Sequence, residues 1–382
     1  MKTDITLLVA PFGFGSLGKG LAIVNELIAR GYSVRVLCDP IAQKVVEDSG
    51  IICGNYQYRE TLKLDDLNTR LVISSGDIGT PLVKGTTPLI VVDSLFWLRG
   101  KWERLPSSDA DVYVAQRFFI EATNAAKSAI GERLVFVDAI LPSWTQNTNS
   151  SEVRDQIVVY PGGMRSPVLP QEYQEKYLMW VSDVVCHAIQ EANIDGRRLM
   201  AVVPPHLVNT QAAQKFSTLG RAVCAGANVL ENLFGKTQHL IVAPGIETML
   251  EACAVGLKPH FLPAYNGSHI PQLIGYRQAG IGDEICPSYA LELKDFEVET
   301  DWLNKLTMDL SHKNIQSLFS PLYKHEAVTN LVKILSKPEQ RAKRYPLGRN
   351  GSSQIADIVG NIIGNKLVHN GAKLPKSVAN VQ

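Results

Sequence analysis

The sequence predicts an α/β protein with two domains, each built on a parallel β-sheet. Short apolar runs alternate with stretches of helical periodicity, which is typical of βαβ units. A glycine-rich turn follows the first strand of each half, at Gly13–Gly18 and at Pro161–Gly163. The polar stretch Pro142–Val153 has no periodicity and reads as a linker. The length of 382 residues also suits two ordinary domains.

Composition excludes several classes of partner. Lys and Arg number 38 and Asp and Glu number 37, so nucleic acid is not expected as a ligand. The apolar run Ile5–Ala10 is too short to span a bilayer and lacks a cleavage site, so we expect a cytoplasmic protein without stable membrane insertion. None of the 6 cysteines has C-x-x-C spacing, and most lie in apolar stretches, which predicts buried, reduced thiols.

The first domain is predicted to cover residues 1–150. It opens with the strand Ile5–Ala10, a glycine turn and a helix that runs to about Arg30, where Gly31 is placed to end it. Later apolar runs predict further strands at Ser33–Cys38, Arg70–Ser74, Leu89–Val92, Val112–Ala115 and Leu134–Val137.

The second domain is predicted to cover residues 151–350. It begins with a strand at Gln156–Tyr160, a glycine turn and a helix over about Gln171–Ala192. A last helix is expected at about Ser352–Gly364, before a polar tail. The remaining strands of this domain are predicted at Leu199–Val203, His239–Ala243 and His260–Leu262.

The first glycine turn allows three interpretations. Its G-x-G-x-x-G pattern between strand and helix, with Asp39 after the next strand, is typical of dinucleotide binding and predicts an NAD-linked oxidoreductase. Pro11 and Phe12 lengthen the turn, and Lys19 stands where an apolar contact is usual, which weakens that interpretation. The turn could instead admit an acceptor substrate, or only connect strand to helix.

The second glycine turn points to an anion site. A strand runs through Pro244-Gly245 directly into a helix, whose first N–H groups carry partial positive charge. Thr248 could cap this helix or bond a phosphate oxygen, and Glu251 could accept both hydroxyls of a ribose. Glu247 is expected to face solvent.

The segment after this helix suits a sugar. The predicted loop Ala264–Gln272 carries several neutral hydrogen-bonding groups, which match sugar hydroxyls. A helix is predicted from Leu273 to Ala279 and ends at Gly280.

Taken in order, these features resemble a known family. The segment Val242–Gly282 is similar to the donor half of GT-B glycosyltransferases. It contains, in order, G-x-x-T-x-x-E-A, then G-x-x-P, a strand ending in Pro, a polar loop and a glycine-ended helix. The nearest likeness is to the N-acetylglucosaminyltransferase of peptidoglycan precursor synthesis and to antibiotic and UDP-glycosyltransferases. The resemblance implies two Rossmann-like domains facing each other across a cleft, with the closing helix packed back on the first.

The resemblance also implies ligands and site residues. A nucleotide-diphosphate sugar, with UDP expected, would bind the second domain, and a small-molecule acceptor the first; no cofactor is implied, and a homodimer is compatible. Pro244, Gly245 and Thr248 would meet the diphosphate, Glu251 the ribose, and His269 and Gln272 the sugar. The glycine turns would contribute Gly15, Gly163 and Arg165, the last of which could reach a phosphate.

The general base departs from the family's pattern. Many inverting members have a His where this chain has Ser16, and a serine needs help to accept a proton. Asp77 and Asp93 each follow a predicted strand and are candidate bases, although either could instead cap a helix or a turn. An epimerase or hydrolase on the same fold, or a non-catalytic binding subunit, therefore stays open. The resemblance also implies a metal-independent reaction, and the absence of any carboxylate–His cluster with metal-ligand spacing agrees with that.

Overall fold

The computed structural model describes most of the chain and divides it into two compact units. One unit comprises residues 1–11, 16–143 and 346–382, and the other comprises residues 12–15 and 144–345. The described residues are 3–11, 15–57, 60–76, 81–98, 109–119, 121–122, 124–146, 154–162, 164, 170–225, 229–266, 268–292, 317–338 and 348–366.

The first unit contains a seven-stranded sheet in which every pairing is parallel. Its strand order is β3-β2-β1-β5-β7-β8-β9, and the short strands β4 and β6 pair separately. The order reverses between β1 and β5, which makes their carboxyl ends a topological switch point. The strands are β1 Thr3–Val9, β2 Val34–Cys38, β3 Ile52–Asn55, β4 Leu62–Lys63, β5 Thr69–Ser75, β6 Leu82–Val83, β7 Leu89–Asp93, β8 Val112–Gln116 and β9 Leu134–Val137.

Three helices accompany these strands in sequence: α1 Gly15–Ala29, α2 Pro40–Asp48 and α3 Asn124–Ile130. Leu17, Ile23, Val24 and Leu27 lie on the buried face of α1. Gly31 ends α1 as expected, with φ of 87° and an N–H that donates to the Ile28 carbonyl at 2.9 Å.

The second unit contains a six-stranded parallel sheet with the order β12-β11-β10-β13-β14-β15. Counted within the unit, this is the Rossmann order 3-2-1-4-5-6, with its switch point between β10 and β13. The central strands are apolar and buried along nearly their whole length, as expected for a covered parallel sheet. The strands are β10 Gln156–Tyr160, β11 Leu199–Val203, β12 Arg221–Cys224, β13 Thr237–Val242, β14 Pro259–Phe261 and β15 Asp283–Glu284.

Helices of the second unit follow its strands, and α4 packs against α5 and α10. Asp183 on α4 forms ion pairs with Lys215 on α5 and with Lys324 on α10. The helices are α4 Gln171–Glu191, α5 Gln211–Leu219, α6 Val229–Phe234, α7 Ile246–Ala254, α8 His269–Gln278, α9 Pro287–Glu292 and α10 Pro321–Leu335.

The last described helix, α11 Gly351–Lys366, packs on the first unit. Arg30, which directly follows α1, forms an ion pair with Asp357 and donates to the Ser353 hydroxyl at 2.7 Å. The Asp138 N–H donates to the side chain of Gln354 at 2.8 Å. Among the described residues, no helix is long and apolar enough to cross a membrane.

Most strands and helices expected from the sequence are confirmed, and three differences matter. The edge strands β3, β12 and β15 were not predicted. The predicted loop Ala264–Gln272 is wrong in its last part, because α8 begins at His269. Pro271 does not prevent this, since a residue in the first helical turn needs no intrahelical N–H bond.

Cys53 is half-buried and Cys224 exposed, so only four cysteines match the expected burial.

The predicted linker Pro142–Val153 is described only in its first part. Ser143–Gln146 forms a short 3₁₀ helix, and the division between the units falls between Ser143 and Trp144. The Trp144 ring packs edge-on against Phe234 of the second unit at 5.7 Å. Residues 147–153 lie outside the described residues.

Candidate functional site

Two turns meet at the carboxyl edge of the second sheet, at its switch point. The chain leaves β13 through Ala243-Pro244-Gly245 and enters α7 at once. The Ala243 N–H donates to the Tyr160 carbonyl at the end of β10, at 3.0 Å. Gly162 has φ of 83°, and a Cβ there would lie 3.2 Å from that of Ala243. The turns after β10 and β13 are therefore in contact where open α/β sheets bind ligands.

The amino end of α7 presents backbone N–H groups of the kind that bind anions. Gly245 is the N-cap, with φ of −74° and ψ of 145°, and no side chain caps the helix. The expectation that Thr248 caps α7 is therefore wrong, because Gly245 occupies that position and Thr248 lies in the first turn. The first N–H groups have no partner within the helix and carry its positive partial charge. An anion can approach them closely because Gly245 has no side chain.

Glu251 lies one turn further along α7 and is buried. Within the described part of the chain, no hydrogen bond or ion pair to its carboxyl group is seen. Burial, and to a smaller extent the nearby charge of Glu247, raises the pKa of Glu251 to about 8. At neutral pH this side chain is mostly a neutral acid. Burial, followed by the charge of Glu251, also raises the pKa of Tyr160.

The protonation of His269 follows from its neighbour Asn266. The Asn266 Oδ1 accepts from the His269 N–H at 3.1 Å and from the Ser268 hydroxyl at 2.9 Å. A backbone N–H can only donate, so the Asn266 Nδ2 faces the His269 Nε2 at 3.2 Å and donates to it. The ring proton of neutral His269 is therefore on Nδ1. Burial lowers the pKa of His269 to about 3, which keeps the ring neutral.

Two polar atoms at the start of α8 are buried without a partner among the described residues. They are the Nδ1 of His269 and the Oε1 of Gln272. An unpaired buried polar atom is costly, so such atoms commonly mark a site for water or ligand. The pair offers one neutral donor and one neutral acceptor, which is the complement of a hydroxyl group.

Gly15 and Ser16 open α1 instead of lying in the turn before it. The Ser16 carbonyl accepts from the Ser75 hydroxyl at 3.1 Å. A Cβ on Gly76, which has φ of 85°, would lie 3.3 Å from the Ser16 hydroxyl. Ser16 therefore lies near the end of β5, at the switch point of the first sheet.

Asp93 ends β7 and is buried, and both of its carboxylate oxygens accept hydrogen bonds. Oδ1 accepts from the Leu95 N–H at 2.8 Å, and Oδ2 accepts from the Tyr113 hydroxyl at 2.6 Å. These bonds match the turn carboxylate that was the alternative to a general base. Beside it, the buried Lys19 donates to the Ser94 hydroxyl at 3.0 Å.

The dinucleotide interpretation required Asp39 to bind a ribose. Asp39 instead precedes α2, and its Oδ1 accepts from the Ala42 N–H at 3.3 Å, as in a helix cap. Gly13 of the same motif lies outside the described residues. The described residues contain no group of three or more His, Cys, Asp or Glu side chains that could hold a metal ion.

No protein-family model matches the chain, and no curated protein matches it in sequence. Solved structures do match. Os79 from O. sativa, in complex with U2F and trichothecene, aligns over 94% of this chain and 100% of its own at 11% identity, with a TM-score of 0.51. The spinosyn rhamnosyltransferase SpnG, complexed with spinosyn aglycone, aligns over 93% and 99% at 10% identity, with a TM-score of 0.50.

The chain has the GT-B fold. The fold predicted from the sequence, with two Rossmann-like domains, is thus confirmed by the two parallel sheets and by these structures. In this GT-B chain, six residues expected to bind the donor lie in or beside the turn after β13 and the start of α8: Pro244, Gly245, Thr248, Glu251, His269 and Gln272.

Three predicted site residues, Asp77, Gly163 and Arg165, lie outside the described residues. The sequence interpretation did not single out Tyr160, which ends β10, or Tyr265 and Asn266, which follow β14 at the same edge of the sheet. Tyr160 and Asn266 could have been found, because each closely follows or ends a predicted strand of a parallel sheet.

Proposed function

We propose that the chain is a glycosyltransferase. It moves a sugar from a nucleotide-diphosphate sugar, with UDP as the expected nucleotide, to a small-molecule acceptor, without a metal ion. The observation that carries this proposal is the pairing, on one short helix, of an uncapped N-terminus at Gly245 with the buried acid Glu251. The fold shared with Os79 and SpnG supports it.

The diphosphate is proposed to bind the N–H groups of the first turn of α7. As the sugar leaves, negative charge develops on the phosphate oxygen, and a helix N-terminus stabilises that charge without the help of a cation. Thr248 is on this first turn and can donate its hydroxyl to the same group. These contacts would do the work that a metal ion does elsewhere.

Ribose binding is assigned to Glu251. Its two carboxylate oxygens can accept one hydrogen bond from each of two neighbouring hydroxyls, and the buried position strengthens both bonds. No described cation competes for this carboxylate. Among the described residues Glu251 has no partner, and a buried acid without one is a poor structural element, which supports a role in binding.

The transferred sugar is assigned to the start of α8. The Nδ1–H of His269 and the Oε1 of Gln272 are free to bond its hydroxyl groups. The acceptor is proposed to bind the first unit, and the trichothecene in the Os79 complex and the aglycone in the SpnG complex support a small molecule. Because both oxygens of Asp93 are in use, Ser16 and Asp77 are the remaining proposed bases.

The first test is a thermal shift of the wild-type chain with UDP, GDP, dTDP and NAD. A ligand present at 100 times its Kd stabilises the native state by about 2.7 kcal/mol, which raises Tm by several degrees. We expect the largest rise with UDP. Stabilisation by NAD alone would contradict the transferase and restore the dinucleotide interpretation.

Glu251→Gln tests the carboxylate, with Glu247→Gln as its matched control on the preceding turn of the same helix. The glutamine at 251 keeps the shape but loses the charge-assisted acceptors, so UDP affinity should fall roughly tenfold or more. The control should bind UDP at least as well as the wild type, since it removes a negative charge near the diphosphate. An equal loss in both variants would remove Glu251 from the ribose site.

A hydrolase of nucleotide-sugars is the second candidate. It is favoured by the occupied carboxylate of Asp93 and by Ser16 in place of a basic side chain, because a reaction with water needs no acceptor site. Incubation with UDP-sugars alone separates the two. Rapid release of UDP and free sugar without any acceptor would support the hydrolase and contradict the transferase.

A further inference from the structure

The turn after β10 has a backbone shape that few residues adopt unaided. Gly162 has φ of 83°, and Met164 has φ of 46°. Glycine enters this left-handed region freely, but a residue with a Cβ such as methionine disfavours it. The Met164 side chain is fully buried, which anchors the turn from one side. Another contact must fix its backbone.

That contact is the hydroxyl of Tyr265, in the loop after β14. It accepts hydrogen bonds from the N–H of Met164 and from the side-chain amide of Asn266. The Tyr265 side chain is buried, so water does not compete for its hydroxyl. A single oxygen atom thus connects the turn after β10 to the loop that precedes α8.

The ring of Tyr265 is held from two sides. Its centroid lies 5.1 Å from that of Tyr177, at an interplanar angle of 38°, and 5.0 Å from that of His269, which meets it at 79°. The Tyr177 hydroxyl donates to the Pro263 carbonyl at 2.8 Å. The ring cannot rotate without disturbing these neighbours, so the Tyr265 hydroxyl stays within hydrogen-bonding distance of the Met164 N–H.

We propose that Tyr265 is a positioning residue for nucleotide-sugar binding. Through the Met164 N–H it holds the turn after β10 against the amino end of α7, so that the backbone of both turns faces the diphosphate. This inference rests on the proposed function, which places the diphosphate at that edge. It also implies that Tyr265 positions two parts of the site at once. Its side chain contacts both His269, which is proposed to bind the sugar, and the turn after β10, which is proposed to face the diphosphate.

The test is Tyr265→Phe, with Tyr177→Phe as the matched control. Each variant removes one buried hydroxyl from the pair of neighbouring rings Tyr177 and Tyr265, but only Tyr265→Phe loses the hydrogen bond to Met164. The amide exchange of Met164 is followed by NMR, and UDP binding is measured by calorimetry. In Tyr265→Phe, Met164 exchange should become faster, and the Kd for UDP should rise roughly fivefold to tenfold. In Tyr177→Phe, both quantities should stay near the wild-type values.

Two results would overturn the proposal: unchanged exchange at Met164 in Tyr265→Phe, or an equal loss of UDP affinity in both variants. The second would mean that any change in the aromatic group weakens the site through stability alone. If the wild-type chain bound no nucleotide diphosphate, the proposed function would fail instead. The exchange measurement would still show whether Tyr265 holds the turn.

Discussion

Glu251 is a carboxylic acid in a place that disfavours its charge. The groups that face it are Glu247 on its own helix and Tyr160 from β10, and neither is a cation. The pKa is about 8 in the folded chain instead of 4.5, so between these two pH values Glu251 keeps a proton in the folded chain that it loses on unfolding. The stabilising contribution of this group is therefore complete below pH 4.5 and is lost as the pH rises through about 8.

Donor binding should depend on pH for the same reason. Ribose hydroxyls donate to the ionised carboxylate, so the ligand binds the form of Glu251 that has lost its proton. Between pH 7 and pH 9, UDP affinity should rise with pH and level off above about 8. Calorimetry across this range checks the expectation in a region where the phosphates of UDP are already ionised.

The matched control is Glu251→Gln, which has no proton to lose. Its affinity for UDP should be weak and nearly independent of pH in the same range. If the wild-type chain and this variant showed the same pH profile, the titration would belong to another group, and Glu251 would not bind the ribose as a carboxylate.

Helix α7 should tolerate a side chain at its N-cap, but that side chain should weaken the binding of UDP. Gly245 has a negative φ, and a Cβ there would meet no atom within 4 Å. Gly245→Ala should therefore lower the Tm of the free protein by no more than a few degrees, since alanine is a poorer N-cap than glycine by up to about 1 kcal/mol. The added methyl group stands where the diphosphate approaches, so UDP affinity should fall roughly tenfold.

Gly18→Ala in α1 is the control for this change. A Cβ at Gly18 also meets no atom within 4 Å, and alanine should stabilise the helix by up to about 1 kcal/mol. UDP affinity should not change, because Gly18 belongs to the first unit. A loss of NAD binding in Gly18→Ala, with UDP binding intact in Gly245→Ala, would instead support the dinucleotide interpretation.

The strands and helices also differ in how well the sequence predicts them. Long apolar strands such as β10 and β11 were predicted at their observed bounds, because burial on both faces leaves a continuous apolar run. The edge strands β12 and β15 are short and partly exposed, so no such run exists. The start of α8 was missed although its signal is local, since the Asn266 side chain accepts from the His269 N–H only three residues further along the chain.

Site residues divide in a similar way. Gly245 and Glu251 were predictable because one short segment carries them in a fixed helical spacing. Tyr265 was not, because its role depends on Met164, which lies 101 residues earlier in the chain and meets it only in the folded sheet. The bond to Met164 is non-local, and spacing along the sequence carries no sign of it.

For the whole molecule, the histidines are unevenly distributed between the two units. Residues 1–143 contain none, whereas His239, His260 and His269 are all buried in the second unit. The rings of His239 and His260 lie 5.8 Å apart on neighbouring strands. Burial, together with the charge that His239 can carry, lowers the pKa of His260 to about 3, although Asp283 opposes this shift.

Acid should therefore unfold the second unit before the first. A histidine whose pKa falls from 6.5 to about 3 on folding stabilises the protein fully above pH 6.5 and loses that contribution as the pH falls toward 3. Each such group lowers the free energy of unfolding by about 1.4 kcal/mol per pH unit in this window. Hydrogen exchange with mass spectrometry at pH 7.5 and pH 5 should show earlier loss of protection in β13, β14 and α8 than in β1 and β5.

His260→Leu isolates one of these groups, since leucine stays neutral at every pH. The variant should lose less stability than the wild type between pH 6.5 and pH 4.5, whatever its stability at neutral pH, because replacing the ring also changes packing against His239. Urea unfolding at each pH gives this slope directly. An equal slope in both proteins, or earlier exposure of the first sheet, would show that acid sensitivity comes from groups other than the buried histidines of the second unit.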